Sequence, residues 1–199
     1  MLNREKSMSD ALAIENFELK GRSSLPQSIS LELLGPTRQE WQDHVNYAGM
    51  AQVFVEFHLM LNGSLTAIKQ KLELILDGAS GQNNNASGPA LADLATDIRS
   101  FYVAIHRHHE VEDHIYFPQF KRLFPQLLSG FTLLDKDHLI LTPAIEELLW
   151  YSRSMSAGEG LAYSFLGLLY DHISVMRKIL ARHLIDEEEI IIPLFLSSK

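Results

Sequence analysis

The sequence predicts an all-α protein in which four long helices pack as an antiparallel four-helix bundle. Apolar residues recur every three or four positions over long stretches, the spacing of one helix face. Segments rich in Gly, Ser and Asn separate these stretches, and no stretch shows strand-like alternation bounded by turns. Four long helices joined by modest loops favour an antiparallel bundle, an architecture that places metal or cofactor sites on facing helices in the core.

An N-terminal arm is predicted over residues 1–35, outside a bundle domain of residues 36–199. The arm is mixed in composition and contains "GRSSLPQS", so we expect it to be partly ordered at best. A short helix is expected near residues 8–20.

The first bundle helix is predicted from Thr37 to Asp77. Thr37 is followed three residues later by Glu40, which is typical of a capping box at a helix start. The stretch Tyr47–Gly49 is expected to break this segment into a short helix and a long one.

Three further helices complete the predicted bundle. The second follows the loop "GASGQNNNASGP" and has an apolar face that runs on to Ile115, with a kink or an end at Pro118. The third covers about residues 132–151 and is bent at Pro143. The fourth covers about residues 159–192.

Composition and charge exclude several classes of function. The chain has 199 residues, a formal net charge of −8, a pI near 5.5 and no cysteine. The missing cysteines rule out disulfides, thiolate metal sites, iron–sulfur clusters and cysteine nucleophiles. The acidic balance argues against nucleic acid or an anionic membrane as a partner. The sequence contains no apolar run of about 18 residues, so no membrane-spanning helix is predicted. The N-terminus does not resemble a signal peptide. A cytoplasmic location is therefore the default expectation.

Two segments that combine histidine with acidic residues form an internal repeat. "HHEVEDHIYFP" (residues 108–118) and "HLIDEEEIIIP" (residues 183–193) each place a proline ten residues after a histidine and a glutamate four residues after it. A second pair of related segments precedes them, "HLMLNGSL" from His58 and "HLILTPAI" from His138. The chain therefore has two helical hairpins, each with one lone histidine and one His-x-x-x-Glu.

These repeats predict a metal centre in the bundle core. Residues four apart lie on the same helix face, and here that face is otherwise apolar. A buried carboxylate without a partner costs several kcal/mol, and a pair of divalent cations is a ready partner. The candidate metal ligands are His58, His108, Glu112, His138, His183 and Glu187.

The donor types suit transition metals. Neutral imidazole binds Zn, Cu, Fe and Ni, and the two glutamates can span two ions that lie about 3.5–4 Å apart. Each ion would then take two of the four histidines. With a bridging oxo or hydroxo group, this leaves room for an exogenous ligand, as oxygen chemistry requires.

At these residues the sequence resembles the hemerythrin-like, HHE cation-binding family, over about residues 45–196. The resemblance implies an up-down-up-down antiparallel four-helix bundle around two Fe ions with a bridging oxo or hydroxo group; Zn or Mn is an alternative in a purified sample. The oxygen-carrying members have a further histidine where this chain has Thr142, followed here by Pro143, and they end in His-x-x-x-x-Asp rather than His-x-x-x-Glu. The chain is therefore more similar to the broader HHE branch.

The other polar residues near the repeats are not expected to be ligands. Glu188 and Glu189 are predicted to lie on a solvated face. The segment "HEVEDH" is not a zinc-protease motif, because its histidines are five residues apart rather than four. Histidines predicted to be solvated or only to support the site are His44, His106, His109 and His114, and the reserve ligand is His172.

Three functions remain open on sequence. The first is a non-haem di-iron protein that binds or senses O2 or a related small oxidant. The second is a peroxide-decomposing or ferroxidase-type enzyme. The third is a regulatory or interaction domain in which the metals only stabilise the bundle. The sequence assigns no catalytic residue, and the N-terminal arm is a candidate element for forming a homodimer.

Overall fold

A computed structural model describes residues 17–33, 35–79, 88–156 and 162–197. Within these ranges the regular structure is helical and no strand is present, so the all-α prediction is confirmed. A π-helical turn at Glu112–Tyr116 joins α3 to α4, and short 3-10 turns lie at Arg38–Glu40 and Pro125–Leu127. The α-helices are α1 (Gln27–Ser30), α2 (Met50–Ala79), α3 (Gly88–Val111), α4 (Phe117–Leu123), α5 (Leu128–Ser156) and α6 (Tyr163–Ser197).

The four long helices pack around a shared interior. Helix α2 packs against α3 and α6, and α5 packs against the same two helices. Two apolar clusters fill the interior: a larger one that includes Leu61, Ile105 and Leu141, and a smaller one that includes Phe117 and Ile190. Helices α2, α5 and α6 each pass from one cluster to the other, and α3 does so through its continuation into α4. The predicted metal ligands lie at the level where the clusters meet.

Helix α2 begins at Met50, later than the capping box suggested. The Glu40 carboxylate does accept hydrogen bonds from the Thr37 backbone N–H, at 2.8 Å, and from its hydroxyl, at 2.7 Å. These bonds cap only a 3-10 turn. The predicted break is present because Gly49 has φ +139°, a conformation that glycine adopts without strain.

The π-helical turn before Pro118 changes which residues face the core. Proline has no N–H and its ring would collide with the carbonyl four residues earlier, so a wider turn relieves the clash. After Glu112, the next residue that faces the core is therefore Phe117, five residues later, and its side chain is fully buried. Ile115, predicted on the apolar face, is 55% exposed. That prediction was wrong because it assumed a regular α-helical period.

Helix α6 runs beyond its predicted end at residue 192. Pro193 lies inside the helix, which continues to Ser197. The last two turns are buried against the smaller apolar cluster, including Ile190, Ile191 and Leu194. This packing holds the helix together although the proline removes one backbone hydrogen bond.

The described residues that precede α2 pack against the bundle. Leu19 belongs to the larger apolar cluster, and Leu25 and Ile29 belong to the smaller one. The helix expected near residues 8–20 lies mostly outside the described residues. The domain boundary at residue 35 stays a prediction. In the described part of the chain, no helix combines the length and apolar character needed to cross a membrane.

Candidate metal centre

The six predicted ligands lie together in the middle of the bundle. His58 comes from α2, His108 from the end of α3, and Glu112 from the first residue of the π-helical turn. His138 comes from α5, and His183 and Glu187 come from α6. The side chain of His108 is 8% exposed, and those of the other five are 5% exposed or less. Their donor atoms form two groups.

The first group, which we name site A, contains His58, His108, Glu112 and Glu187. The two imidazole Nε2 atoms of His58 and His108 are 3.1 Å apart. Glu112 Oε1 is 2.9 Å from His108 Nε2, and Glu187 Oε2 is 3.4 Å from His58 Nε2. Site A therefore combines two nitrogen donors with two carboxylates.

The second group, site B, contains His109, His138 and His183. The Nε2 atoms of His138 and His183 are 3.2 Å apart. The His109 ring is stacked on the His138 ring, with centroids 4.0 Å apart. Site B is thus a set of three imidazoles.

The two glutamates connect the sites. Glu112 Oε2 is 3.7 Å from His138 Nε2 of site B, while its Oε1 faces His108 of site A. Glu187 Oε2 is 3.7 Å from His183 Nε2 and 3.4 Å from His58 Nε2. Each carboxylate therefore reaches both groups, as ligands shared by two ions must.

Five donor atoms of this centre have no hydrogen bond. Both carboxylate oxygens of Glu112, both of Glu187 and Nε2 of His109 are buried without a hydrogen bond. Each orphaned buried polar group costs about 1–3 kcal/mol, and more if charged. Such a cluster is expected where cations provide the missing partners.

The imidazole pairs also have a separation that suits a shared ion. Two nitrogens that each lie about 2.1 Å from one ion and meet there at a right angle are about 3 Å apart. The Nε2 separations of 3.1 Å in site A and 3.2 Å in site B agree with this value. The residues present therefore fit a pair of transition-metal ions.

Burial sets the protonation of these groups. It lowers the pKa of His108 to about 3 and lowers the pKa of His109 and His183 well below the usual value, so these rings are neutral and keep a lone pair. Burial also raises the pKa of Glu112 and, together with the charge of Glu112, the pKa of Glu187. Nearby cations favour the ionised carboxylates instead.

Three further carboxylates orient the imidazoles from behind. Glu188 Oε1 is 3.0 Å from His58 Nδ1, and Asp113 Oδ1 is 2.7 Å from His138 Nδ1. The third is Asp137, whose Oδ2 is 3.4 Å from Nδ1 of the site B residue His183. A ring that donates from Nδ1 presents the lone pair of Nε2 to the centre, which is a common arrangement at metal sites.

The placement of Glu188 corrects a prediction. It was expected on a solvated face, but it is buried, with 6% exposure. The sequence does hold a signal for this role, because each of the three carboxylates is the immediate neighbour of a predicted ligand: Asp113 follows Glu112, Asp137 precedes His138 and Glu188 follows Glu187.

His109 is the donor that sequence reasoning missed. It was predicted to be solvated or only supporting, yet it is 6% exposed and lies in site B. Adjacent residues point about 100° apart on a helix, and α3 packs against both α2 and α5. His108 therefore faces site A while His109 faces site B. The doubled histidine next to a shared glutamate was the available signal.

The remaining histidines lie outside both groups. His106 is partly exposed, with its Nδ1 3.7 Å from Glu110 Oε2. His114 is exposed, with its Nδ1 2.9 Å from the Glu110 carbonyl. His172 donates from Nε2 to the Ala144 carbonyl at 2.8 Å. His172, the reserve ligand, is thus not brought to the centre, and neither is His44, beside Asn46.

Comparisons with known proteins agree with this geometry. A family model described as the hemerythrin HHE cation binding domain matches residues 51–195, which include all seven donors. Comparison with curated proteins and with solved structures gave no significant match. The match spans most of the chain and coincides with the helices that supply the donors, so this chain belongs to the hemerythrin HHE cation-binding family.

Proposed function

We propose that the chain binds two metal ions, one at site A and one at site B. The ligands are the six residues predicted from the sequence together with His109, and Glu112 and Glu187 are shared between the ions. The observation that carries the proposal is the set of five unpartnered donor atoms buried at one level of the bundle. Cation binding is also what the family description names.

The proposed metal is iron, with an oxo or hydroxo bridge, and the proposed role is to bind or sense O2 or a related small oxidant. Such a pair of ions supplies reversible one-electron chemistry toward oxidants. Five imidazoles and two carboxylates are donors that suit iron, although they do not exclude Zn or Mn. Seven side chains, two of them shared, leave coordination positions open for a small molecule.

Aromatic rings surround the centre and support binding of a small apolar molecule. The Phe54 ring centroid is 4.4 Å from that of His58, and Phe57 is 5.1 Å from His108. On the other side, Phe117 is stacked on His138 at 5.4 Å. These rings exclude water from the donors. The carboxylates Asp113, Asp137 and Glu188 hold the imidazole protons at Nδ1, away from the centre.

The finer features of the architecture are part of the same proposal. The cyclic packing of α2, α3, α5 and α6 supports an up-down-up-down order of these helices. We also propose a bundle domain of residues 36–199, a cytoplasmic location and a homodimer formed through the N-terminal arm.

Metal analysis combined with absorption spectra of anaerobic and aerated protein tests the function. We expect two irons per chain and a charge-transfer band that changes when O2 is admitted. Sustained turnover of peroxide or Fe(II) would point instead to the enzyme alternative. Zinc in place of iron, with chelation melting the fold and no redox response, would favour a metal-braced regulatory domain.

A further inference from the structure

Two arginines from the segment before α2 contact the carboxylates that orient the site imidazoles. We propose that Arg22 and Arg38 are positioning residues of the metal centre, Arg22 for site B and Arg38 for site A. The inference rests on the proposed metal binding. It adds that the N-terminal segment, residues 17–33 and 35–40, sets the affinity of each site separately.

Arg22 is a buried arginine, with 6% exposure, that contacts two aspartates. Its Nη1 donates to Asp137 Oδ1 at 3.2 Å and its Nη2 donates to Asp137 Oδ2. Its Nε donates to Asp186 Oδ2 at 2.7 Å. Asp137 Oδ2 in turn faces His183 Nδ1 at 3.4 Å. The chain of contacts from Arg22 therefore ends at a site B imidazole.

Arg38 makes a single carboxylate contact on the other side. Its Nη1 donates to Glu188 Oε2 at 2.6 Å, and its Nη2 donates to the Ile185 carbonyl at 3.2 Å. The other oxygen of Glu188 lies 3.0 Å from His58 Nδ1. Its guanidinium also lies 4.7 Å from the centre of the Trp41 ring. These contacts end at a site A imidazole.

The geometry of guanidinium explains why arginine suits this role. At Arg22 the planar fork binds Asp137 through two N–H groups and fixes the plane of that carboxylate, whereas Arg38 holds Glu188 through one N–H and the neighbouring Ile185 carbonyl through the other. A fixed carboxylate holds the imidazole behind it in one orientation, and loss of such outer partners typically costs 10–100-fold in metal affinity. A merely structural ion pair would have no reason to end at a ligand in both cases.

Both arginines precede residue 51, where the match to the family begins. The segment that carries them therefore lies outside the matched helices. Linkage requires the effect to be reciprocal, so bound metal must also hold this segment more firmly against the bundle.

The test measures Co(II) affinity and the Co(II) absorption spectrum in Arg22→Gln and Arg38→Gln. Single-site backgrounds separate the two sites: His58→Ala weakens site A and leaves site B to be read, and His183→Ala does the reverse. We expect Arg22→Gln to lower site B affinity 10–100-fold and to leave site A unchanged. Arg38→Gln is expected to do the opposite, with a smaller effect because its side chain is 40% exposed.

Arg182→Gln is the matched control. Arg182 pairs with Asp186 and donates to the Ser23 carbonyl, so it touches the same aspartate and the same segment as Arg22. Within the described part of the chain Asp186 contacts Arg22 and Arg182 but no site imidazole, so we expect both affinities to match those of the wild type. As a second readout, Co(II) is expected to slow tryptic cleavage after Lys20 in the wild type but not in Arg22→Gln. Because the substitution removes the tryptic cleavage position at residue 22, only cleavage after Lys20 is compared.

The outcomes separate this inference from the proposed function. A wild-type chain that takes up no Co(II) or iron overturns both. A wild type that binds two ions, with Arg22→Gln and Arg38→Gln equal to it at both sites, overturns only the positioning roles. The positioning roles are also overturned if each variant weakens metal binding at both sites equally and lowers the melting temperature of the metal-free protein. That result would show that the arginines have only a structural role.

Discussion

Replacing Glu112 by Gln is the sharpest single test of the centre. Glu112 is fully buried, its two oxygens face His108 of site A and His138 of site B, and neither has a hydrogen bond. Glutamine keeps the shape of the side chain and removes its charge. The metal-bound and metal-free proteins should therefore respond in opposite directions.

The size of the effect follows from the number of ions that share the residue. Loss of a supporting group alone costs 10–100-fold in metal affinity, and a direct ligand costs at least as much. This is about 1.4–2.7 kcal/mol for each ion, or about 3–5 kcal/mol for two. In a chain of 199 residues each kcal/mol shifts the melting temperature by about 2–4 °C, so we expect metal-loaded Glu112→Gln to melt roughly 5–20 °C below the metal-loaded wild type.

Without metal the same variant should be at least as stable as the wild type. Burial raises the pKa of Glu112, so folding of the metal-free chain must either protonate this carboxyl or bury its charge, and glutamine removes that cost. Calorimetry of chelated and reloaded protein, with metal analysis, measures both effects. The control is Glu110→Gln, an exposed residue two positions earlier on α3, which should change neither quantity. If Glu112→Gln retained two ions and the wild-type difference in melting temperature, the shared-ligand assignment would be wrong.

Four other substitutions have distinct expected outcomes. His109→Ala should remove one of two ions per chain, whereas His106→Ala should leave both, as measured by metal analysis. Phe117→Ala should destabilise the fold by about 3–5 kcal/mol, because it deletes a fully buried ring that is stacked on His138; denaturant unfolding measures this. His172→Ala should leave the metal content unchanged, since His172 lies at neither site. The assignment of site B would be contradicted if His109→Ala retained two ions or if His172→Ala lost one.

The helices and most of the site could be predicted because both depend on short-range spacing. A histidine and a glutamate four residues apart must share a helix face, and the matched prolines set which of the overlapping pairs was meaningful. Spacing alone could not show that the helix widens before Pro118. That local change moved Ile115 out of the core and Phe117 into it.

His109 was missed for a related reason. The repeat pattern predicted one buried position per helical turn. Of two adjacent positions, one was therefore expected to face the core and the other to face solvent. A helix that packs against two neighbours has a wide buried face, so adjacent histidines can serve two sites. A one-sided pattern of hydrophobicity does not distinguish these cases.

The contacts of Arg22 could not be predicted from sequence at all. Its partners Asp137 and Asp186 are 115 and 164 residues away, and the residues around Arg22 show no helical period. Composition indicated only an arm of mixed character that is partly ordered at best. The burial of the arginine depends on tertiary packing with residues distant in the sequence.

The position of the centre between two apolar clusters links metal binding to folding. Unpartnered carboxylates at this level oppose folding of the metal-free chain, while the apolar clusters above and below drive it. Ions that bind only the folded arrangement add their binding free energy to its stability. The fold therefore tolerates a polar layer in its core because the clusters can hold the donors together before the cations arrive. This predicts a metal-free chain that remains helical and compact but melts well below the metal-bound one; an unfolded metal-free chain by circular dichroism would show that the clusters alone are insufficient.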